Sequence, residues 1–394
     1  MIVARLSAHD KKLTSWASVG LFIFIFAFLW APSRDGLQVV YLFSFFLPIL
    51  GLFILRRPNV KEYVNIPTVL ALIYGAFSTC AALWGDAKSF GFFFLQWLVL
   101  ATWLCGTTVV FSRTINLDIE KFIFWFVVLG CMVIISTIAY HYIFSNNYRN
   151  IFRLLGWNVF RNPNEIGAMC GIISLLAIIS AFQSLSVKRI ILYYFLASIA
   201  TTGLILSLSR AAMLATFVTS LLALVIIRPP TKVWLTPATI LLFVAAWFIW
   251  VSGVPYYYFE GRASGVSDRL AIWGEVIKNS FNNIILGIGM SEKTDIAISN
   301  GTLFNHAHNA WIDTYYRTGI VGLLLIILHL LFTLRNALAN TKTLPFFLWL
   351  CFGCICSLFD GRVFFWEIGA KWFLYWLPAG LIVAFAQFGD KSTK

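Results

Sequence analysis

Charged side chains are scarce in this chain of 394 residues. Asp, Glu, Lys and Arg together make up 11% of it, whereas a soluble globular protein carries about 25%. Hydrophobic residues reach 60% and aromatic residues 17%. Such a composition cannot cover a water-exposed surface with polar groups. We therefore exclude a soluble globular protein and expect one whose solvent is the lipid bilayer.

Other signatures are missing as well. The sequence contains no Gly-rich phosphate loop, no heptad pattern and no repeat of fixed period, which argues against nucleotide binding by a known loop and against a repeat architecture. Its seven cysteines lie inside apolar runs, so we expect buried thiols rather than disulfides. The net charge of +13 is scattered between these runs. This scatter predicts membrane lipids and phosphorylated substrates as partners, not nucleic acid.

Twelve apolar stretches are long enough to cross a bilayer, which predicts an all-α polytopic membrane protein. They run over residues 15–31, 37–55, 66–84, 90–111, 121–144, 164–182, 190–207, 210–227, 233–253, 309–332, 343–359 and 365–388. Sixteen of the 29 basic residues fall at the termini and in alternate connections. The positive-inside rule then predicts a bacterial inner-membrane protein with both termini in the cytoplasm. We expect residues 1–394 to form a single membrane domain.

The connection between the ninth and tenth spans, residues 254–308, is predicted to form a periplasmic cap. Within it, Ser267 and Asp268 are expected to cap an amphipathic helix that ends at Gly287 and Gly289. The basic residues of this cap and of residues 145–163 contradict the positive-inside rule. An anionic ligand is the explanation that we predict for them.

Three arginines are candidates for binding that anion. Arg210 lies in the run LSLSRAAML at an outer hairpin, where a guanidinium can grip a phosphate through two hydrogen bonds; the alternative is an arginine that snorkels to headgroups. Arg269 begins the amphipathic helix, whose dipole favours an anion; the alternative is a surface ion pair. Arg262 lies in a flexible turn and ranks below Arg269.

His306 and His308 stand in the run NHAHNAW, just before a span. An imidazole at the membrane surface can remove a proton from a sugar hydroxyl, and His308 is the predicted general base. Two alternatives are an interfacial histidine satisfied by backbone or water, and a metal site formed with Asp313.

Other polar residues lie near the same membrane face. The predicted substrate contacts there are Arg161, Asn164, Glu165, His306, Asn309 and Asp360. Asn164 and Glu165 open the sixth span, where a purely capping role is the alternative. Asp360 either belongs to the site or pairs with Arg362 to hold the last two spans together, and Glu367 and Lys371 are open to the same two interpretations.

These motifs, in this order, resemble those of the O-antigen ligase and polymerase superfamily. The resemblance covers roughly residues 160–365 and is carried by Arg210 with Leu214, by the segment DRLAIWGE at Arg269, and by His308 and Asn309 with nine residues before Gly319 and Gly322. The large outer loop between spans nine and ten matches the same pattern.

The resemblance implies a GT-C-like glycosyltransferase that inverts stereochemistry and needs no metal, nucleotide or other cofactor. It implies transfer of a glycan from undecaprenyl diphosphate to the lipid A-core, with Arg210 and Arg269 on the diphosphate and His308 on the acceptor. A polymerase that extends a second lipid-linked glycan is the alternative within the superfamily. A transporter is the alternative outside it, although that would require related halves and ionisable groups near the bilayer midplane.

Overall fold

The structure is a computed structural model that describes residues 8–56, 63–113, 118–144, 153–234, 264–292, 296–298 and 301–388. Within these ranges it is almost entirely helical, which confirms the all-α prediction. The helices before the cap are α1 (Ala8–Trp30), α2 (Arg34–Tyr41), α3 (Leu47–Arg56), α4 (Ile66–Cys80), α5 (Phe90–Arg113), α6 (Ile119–Ala139), α7 (Pro163–Gln183), α8 (Val187–Ser207) and α9 (Arg210–Ile227). Those that follow are α10 (Ser264–Ser280), α11 (Ala310–Leu338), α12 (Leu344–Phe359) and α13 (Leu377–Phe388).

Nine helical segments of the described ranges are long and apolar enough to cross a membrane, and two shorter apolar helices accompany them. The polytopic prediction is thereby confirmed for nine of the twelve stretches, while two further stretches, 66–84 and 365–388, correspond to the shorter helices. The ninth, 233–253, lies almost wholly outside the described residues. The last one does not begin at residue 365, because residues 361–369 are not helical; the helix that follows them includes the π-helical segment Trp372–Trp376.

Aromatic side chains fill the centre of the helix bundle. Phe24, Tyr41 and Trp103 pack edge to face, and Trp103 Nε1 donates a 2.8 Å hydrogen bond to the carbonyl of Trp376. The ring contacts thus join α1, α2 and α5, and the hydrogen bond of the indole anchors the last span against α5. All seven cysteines are free thiols, as predicted, but only three of them are buried; three are partly buried, and Cys80 is exposed.

The cap helix α10 differs from its predicted bounds. It begins at Ser264, so Ser267 and Asp268 lie inside it instead of capping it, and it ends at Ser280, before the two glycines. A short antiparallel strand pair follows, in which Ile296 faces Phe304. Ile272 and Val276 of α10 pack against this pair and close a small second core.

The chain after α10 docks onto a kink in α11. Gly319 adopts φ 63° there, and a Cβ atom on it would lie 2.1 Å from the carbonyl oxygen of Ile285. The amides of Ile288 and Gly289 donate to the carbonyls of Tyr316 and Arg317, each at 3.0 Å. The first glycine of the HN-x9-G-x2-G motif therefore permits a close backbone contact between the cap and a spanning helix.

Candidate active site

A polar cavity of about 590 Å³ opens at one end of the bundle, within the range typical of small-molecule sites. It lies where α7 and α9 begin and where α12 ends. Its polar lining side chains are Arg34, Asn162, Asn164, Glu165, Ser209, His306, His308, Asp360, Arg362, Glu367 and Lys371. The structure therefore brings together five predicted site residues from three distant parts of the chain: Asn164, Glu165, His306, His308 and Asp360.

His308 is held in the left-handed region, at φ 50°, which a residue with a Cβ rarely adopts. The next residue, Asn309, caps α11, and its side-chain oxygen accepts hydrogen bonds from the amides of Trp311 and Ile312 at 3.0 and 3.1 Å. A tight turn thus precedes the helix start and directs the imidazole into the cavity. The predicted site residue Asn309 is placed as the cap that fixes this turn.

His308 faces a carboxylate. Its Nδ1 lies 3.5 Å from Oδ1 of Asp360, whose Oδ2 accepts a 2.8 Å hydrogen bond from the amide of Asn164. The Asn164 oxygen in turn accepts from Arg153 at 2.7 Å. An imidazole, a carboxylate, an amide and a guanidinium therefore form one polar row, in which the carboxylate orients the ring.

Asp360 is expected to remain ionised. Burial alone would raise the pKa of its carboxyl group, but contacts with His308, the ammonium of Lys371 and Asn164 together lower that pKa well below its usual range. Asp360 does not pair with Arg362, so the predicted pair between these two residues is wrong. A permanent negative charge beside the imidazole stabilises the imidazolium that forms when the ring accepts a proton.

We expect Asp360→Asn to slow turnover about tenfold to a hundredfold, because the charge that stabilises the imidazolium is lost while the shape is kept. Asp360→Glu should restore part of the rate. Asp118→Asn, the same change at an exposed helix cap, is the matched control and should leave the rate unchanged. Initial rates with saturating donor and acceptor measure this effect, and an unimpaired Asp360→Asn variant would contradict the positioning role.

Lys371 reaches the cavity wall beneath Asp360. Its ammonium donates a 2.7 Å hydrogen bond to the Asp360 carbonyl, and burial lowers the pKa of this amine while the Asp360 charge opposes that fall. Gly361, at φ 104°, leaves room for this lysine, since a Cβ there would lie 1.9 Å from Lys371 Cε. The turn after α12 is therefore fixed by both backbone conformation and charge.

Arg34 links the start of α2 to two carboxylates of the cavity. One nitrogen of its guanidinium lies 3.2 Å from Glu165 and another 3.0 Å from Glu367. Glu165 also accepts from the Asn162 amide in a capping box at the start of α7. The predicted capping role of Glu165 is confirmed, and the residue lines the cavity at the same time.

The ring of His306 lies beside that of His308, with centroids 4.0 Å apart and ring planes tilted by 42°. Burial first, and the neighbouring His308 second, lower the pKa of His306 to about 4, so this ring stays neutral near pH 7. Metal-ligand atoms of His306, His308 and Asp360 all lie within 4.8 Å of one another. Asp360, and not Asp313, is therefore the carboxylate that accompanies the two histidines.

Asp313 instead has a structural role. Its buried carboxylate accepts from Arg317 Nε at 3.2 Å and from the amides of Ala307 and Val363 at 3.3 and 2.9 Å. Arg317 also donates to the carbonyl of Met290 at 2.9 Å. This pair joins the histidine segment, the turn after α12 and the chain behind α10 at one point.

Neither Arg210 nor Arg269, the two described arginines predicted to bind an anion, is among the residues that line this cavity. Arg210 is the first residue of α9, is exposed, and is flanked by the lining residues Ser209 and Ala211. Arg269 is half-buried and lies one turn before Trp273, whose indole donates a 3.0 Å hydrogen bond to the Ala307 carbonyl, between the two histidines.

Three further arginines belong to the outer segments, 145–163 and 254–308, for which an anionic ligand was predicted. Arg262 lies outside the described residues. Arg161 is exposed and donates to the carbonyl of Pro32 at 3.1 Å, while Arg153 donates to the carbonyl of Ser207 at 2.9 Å. The charges of Arg153 and Arg161 thus have acceptors within the protein, a different explanation from the predicted ligand.

Arg34, Arg153 and Arg317 were not among the predicted site residues. The only sequence signal for Arg34 and Arg153 was their position on the outer side, against the positive-inside rule. For Arg317, the signal was its spacing of four residues from Asp313, which aligns opposite charges on one helix face.

The fold and the cavity define a class: an α-helical polytopic membrane protein with a histidine, carboxylate and guanidinium cluster at one end of its bundle. Residues 192–327 match the model of the family described as O-antigen ligase. The chain is also 23% identical to the O-antigen ligase of Pseudomonas aeruginosa (strain PAO1), over 95% of this chain and 92% of the relative. Both comparisons support the O-antigen ligase family, and the resemblance found in the motifs is confirmed.

Proposed function

We propose that the protein transfers a glycan from undecaprenyl diphosphate to a hydroxyl of the lipid A-core oligosaccharide, at the periplasmic face of the bacterial inner membrane. The observation that carries this proposal is the contact of His308 with Asp360 in a cavity that also carries the basic side chains of Arg362 and Lys371. The match to O-antigen ligases supports the same reaction class. The cytoplasmic placement of both termini belongs to this proposal too.

His308 acts as the general base. Its Nδ1 faces Asp360, so Nε2 is the nitrogen that takes the proton of the acceptor hydroxyl. The hydroxyl oxygen attacks the anomeric carbon as the bond from that carbon to the phosphate oxygen breaks, which inverts the configuration. The carrier leaves as undecaprenyl diphosphate, and the proton on His308 passes to water.

Arg210 and Arg269 bind the diphosphate. Negative charge grows on the leaving oxygen, and guanidinium groups stabilise it more in the transition state than in the ground state. The energy of the reaction is stored in the glycosyl phosphate bond, so neither a nucleotide nor a metal ion is required. Asn164 and Glu165 lie on the cavity wall and contact sugar hydroxyls.

The test is an incubation of purified protein in detergent with undecaprenyl diphosphate-linked glycan and lipid A-core, in the presence of a chelator. Glycan-capped lipid A-core is the expected product. Glycan lengthened on its carrier without lipid A-core would identify a polymerase instead, and absence of both products would refute glycosyl transfer. Restoration of activity only by added metal would contradict the metal-independent mechanism.

We expect Arg269→Ala to lower turnover about a hundredfold, because a charge-assisted hydrogen bond to the leaving diphosphate is lost. Lys278→Ala is the matched control, since it removes an exposed charge from the same helix, where its ion pair with Glu275 is worth little. Turnover of the two variants at saturating donor provides the comparison. Equal rates for both would exclude Arg269 from the diphosphate site.

A further inference from the structure

A second cavity, of about 390 Å³, adjoins the first. Three side chains line both: Phe92, Arg362 and Trp366. The remaining polar lining of the second cavity consists of Ser89, Ser291, Glu292, Asn305 and Arg317. The start of α9, where Arg210 lies, contributes residues to the first cavity and none of the described lining of the second. These three side chains therefore form the partition at which the two cavities meet.

Arg362 differs from the other basic side chains that line the first cavity. Arg34 is paired with Glu165 and Glu367, and Lys371 donates to the Asp360 carbonyl. The guanidinium of Arg362 lies over the ring of Trp366, 5.6 Å from its centroid, and has no carboxylate or carbonyl partner among the residues that the structure describes. A half-buried guanidinium seated on an indole retains its hydrogen-bond donors for a ligand.

The backbone around Arg362 is fixed on both sides. The next residue, Val363, is fully buried, and its amide donates to Asp313 at 2.9 Å. Two residues earlier, Asp360 contacts His308 at 3.5 Å. Two residues span at most about 7 Å of extended chain, so the backbone of Arg362 lies within that distance of Asp360, the partner of the general base.

Electrostatic repulsion makes an anion favourable at this point. Burial first, and the charge of Arg317 second, lower the pKa of the Arg362 guanidinium, while the charge of Asp313 opposes this fall only in part. Arg317 is already committed to Asp313, and Glu292 is exposed at the rim. A negative group beside Arg362 would relieve this repulsion.

We infer that the partition of Phe92, Arg362 and Trp366 is the acceptor subsite, and that Arg362 binds an anionic group, a phosphate or a carboxylate, on the acceptor sugar. This inference rests on the proposed function, because it divides the same site between donor and acceptor. The aromatic rings give the acceptor sugar an apolar face to lie on, and the guanidinium binds its anionic group through two parallel hydrogen bonds. The diphosphate of the donor is then held in the first cavity, on the side where α9 begins with Arg210.

The test compares Arg362→Gln with the wild type on lipid A-core that keeps its phosphates and on the same lipid after dephosphorylation. We expect Arg362→Gln to raise the KM for the phosphorylated acceptor about tenfold to a hundredfold and to leave the KM for the donor unchanged. Dephosphorylation should raise the wild-type KM to a similar extent and should have no further effect on the variant. Lys278→Gln is the control for loss of one outer charge.

Two results would overturn the inference. If Arg362→Gln raised the KM for the donor, the donor diphosphate would lie at Arg362. If the KM values for both substrates were unchanged, Arg362 would bind no anionic group of either substrate. Binding of the two lipid preparations, measured by tryptophan fluorescence without donor, tests the subsite independently of transfer. A wild type that binds the phosphorylated acceptor more tightly but forms no product would refute the proposed function and not the subsite.

Discussion

His308→Gly is expected to lower glycan transfer about 100- to 10,000-fold, the contribution of a positioned general base. Glycine is the informative replacement because His308 occupies φ 50°, where alanine is strained and glycine is not. The turn before α11 should therefore keep its shape, and the loss of rate will report the missing imidazole. Initial rates at saturating donor and acceptor are the measurement.

Added imidazole distinguishes chemistry from structure in this variant. Removal of the side chain leaves space beside Asp360, and free imidazole placed there should restore part of the rate. His308→Ala lacks the relaxed turn and should be rescued less well. Thermal unfolding of His308→Gly close to that of the wild type confirms that the fold is intact. Undiminished transfer by the glycine variant would remove His308 from the mechanism.

Arg317→Met is expected to reduce the free energy of unfolding by about 3–5 kcal/mol, because it leaves the carboxylate of Asp313 buried without its cation. The side chain of Asp313 is fully buried, and that of Arg317 is 5% exposed. The Met290 carbonyl loses a hydrogen-bond donor in the same variant. Thermal unfolding in a single detergent, compared with the wild type, measures the loss.

A double variant separates the buried charge from the lost contacts. Asp313→Asn combined with Arg317→Met removes both charges, so it should be more stable than Arg317→Met alone, since no uncompensated ion remains. Lys278→Met breaks an exposed ion pair and should cost less than about 1 kcal/mol. If Arg317→Met and Lys278→Met unfolded at the same temperature, the pair of Asp313 and Arg317 would not hold the histidine segment, the turn after α12 and the chain behind α10 together.

From the sequence, the candidate catalytic residues could be predicted, whereas most of the residues that orient them could not. His308, Asp360 and Asn164 were found because each stands in a short polar run at the end of an apolar stretch, and such ends meet at one membrane face. Arg34 could not be assigned to the site in the same way. Its partner Glu367 is 333 residues away in the chain, and only the folded bundle brings the two together.

Local sequence patterns predicted which stretches form helices more accurately than they predicted where each helix begins and ends. Hydropathy found the spans because bilayer thickness dictates their length. It extended the last span to residue 365, since Phe364, Phe365 and Trp366 are as apolar as a membrane helix. These rings are instead packed within the protein next to the cavity, where Phe364 contacts Trp311 and Phe365 contacts Tyr74. Hydrophobicity alone does not separate a residue buried by lipid from one buried by protein.

The kink at Gly319 has a mechanical consequence. Backbone hydrogen bonds join the chain that follows α10 to α11 on both sides of the kink. The amides of Ile288 and Gly289 bond to α11 before the kink, and the amide of Ile320 in α11 bonds back to that chain after it. A load applied to α10 is therefore transmitted to a membrane-spanning helix instead of being absorbed by a hinge. Since the histidine turn stands at the start of α11, its position depends on the same backbone contacts that hold α10.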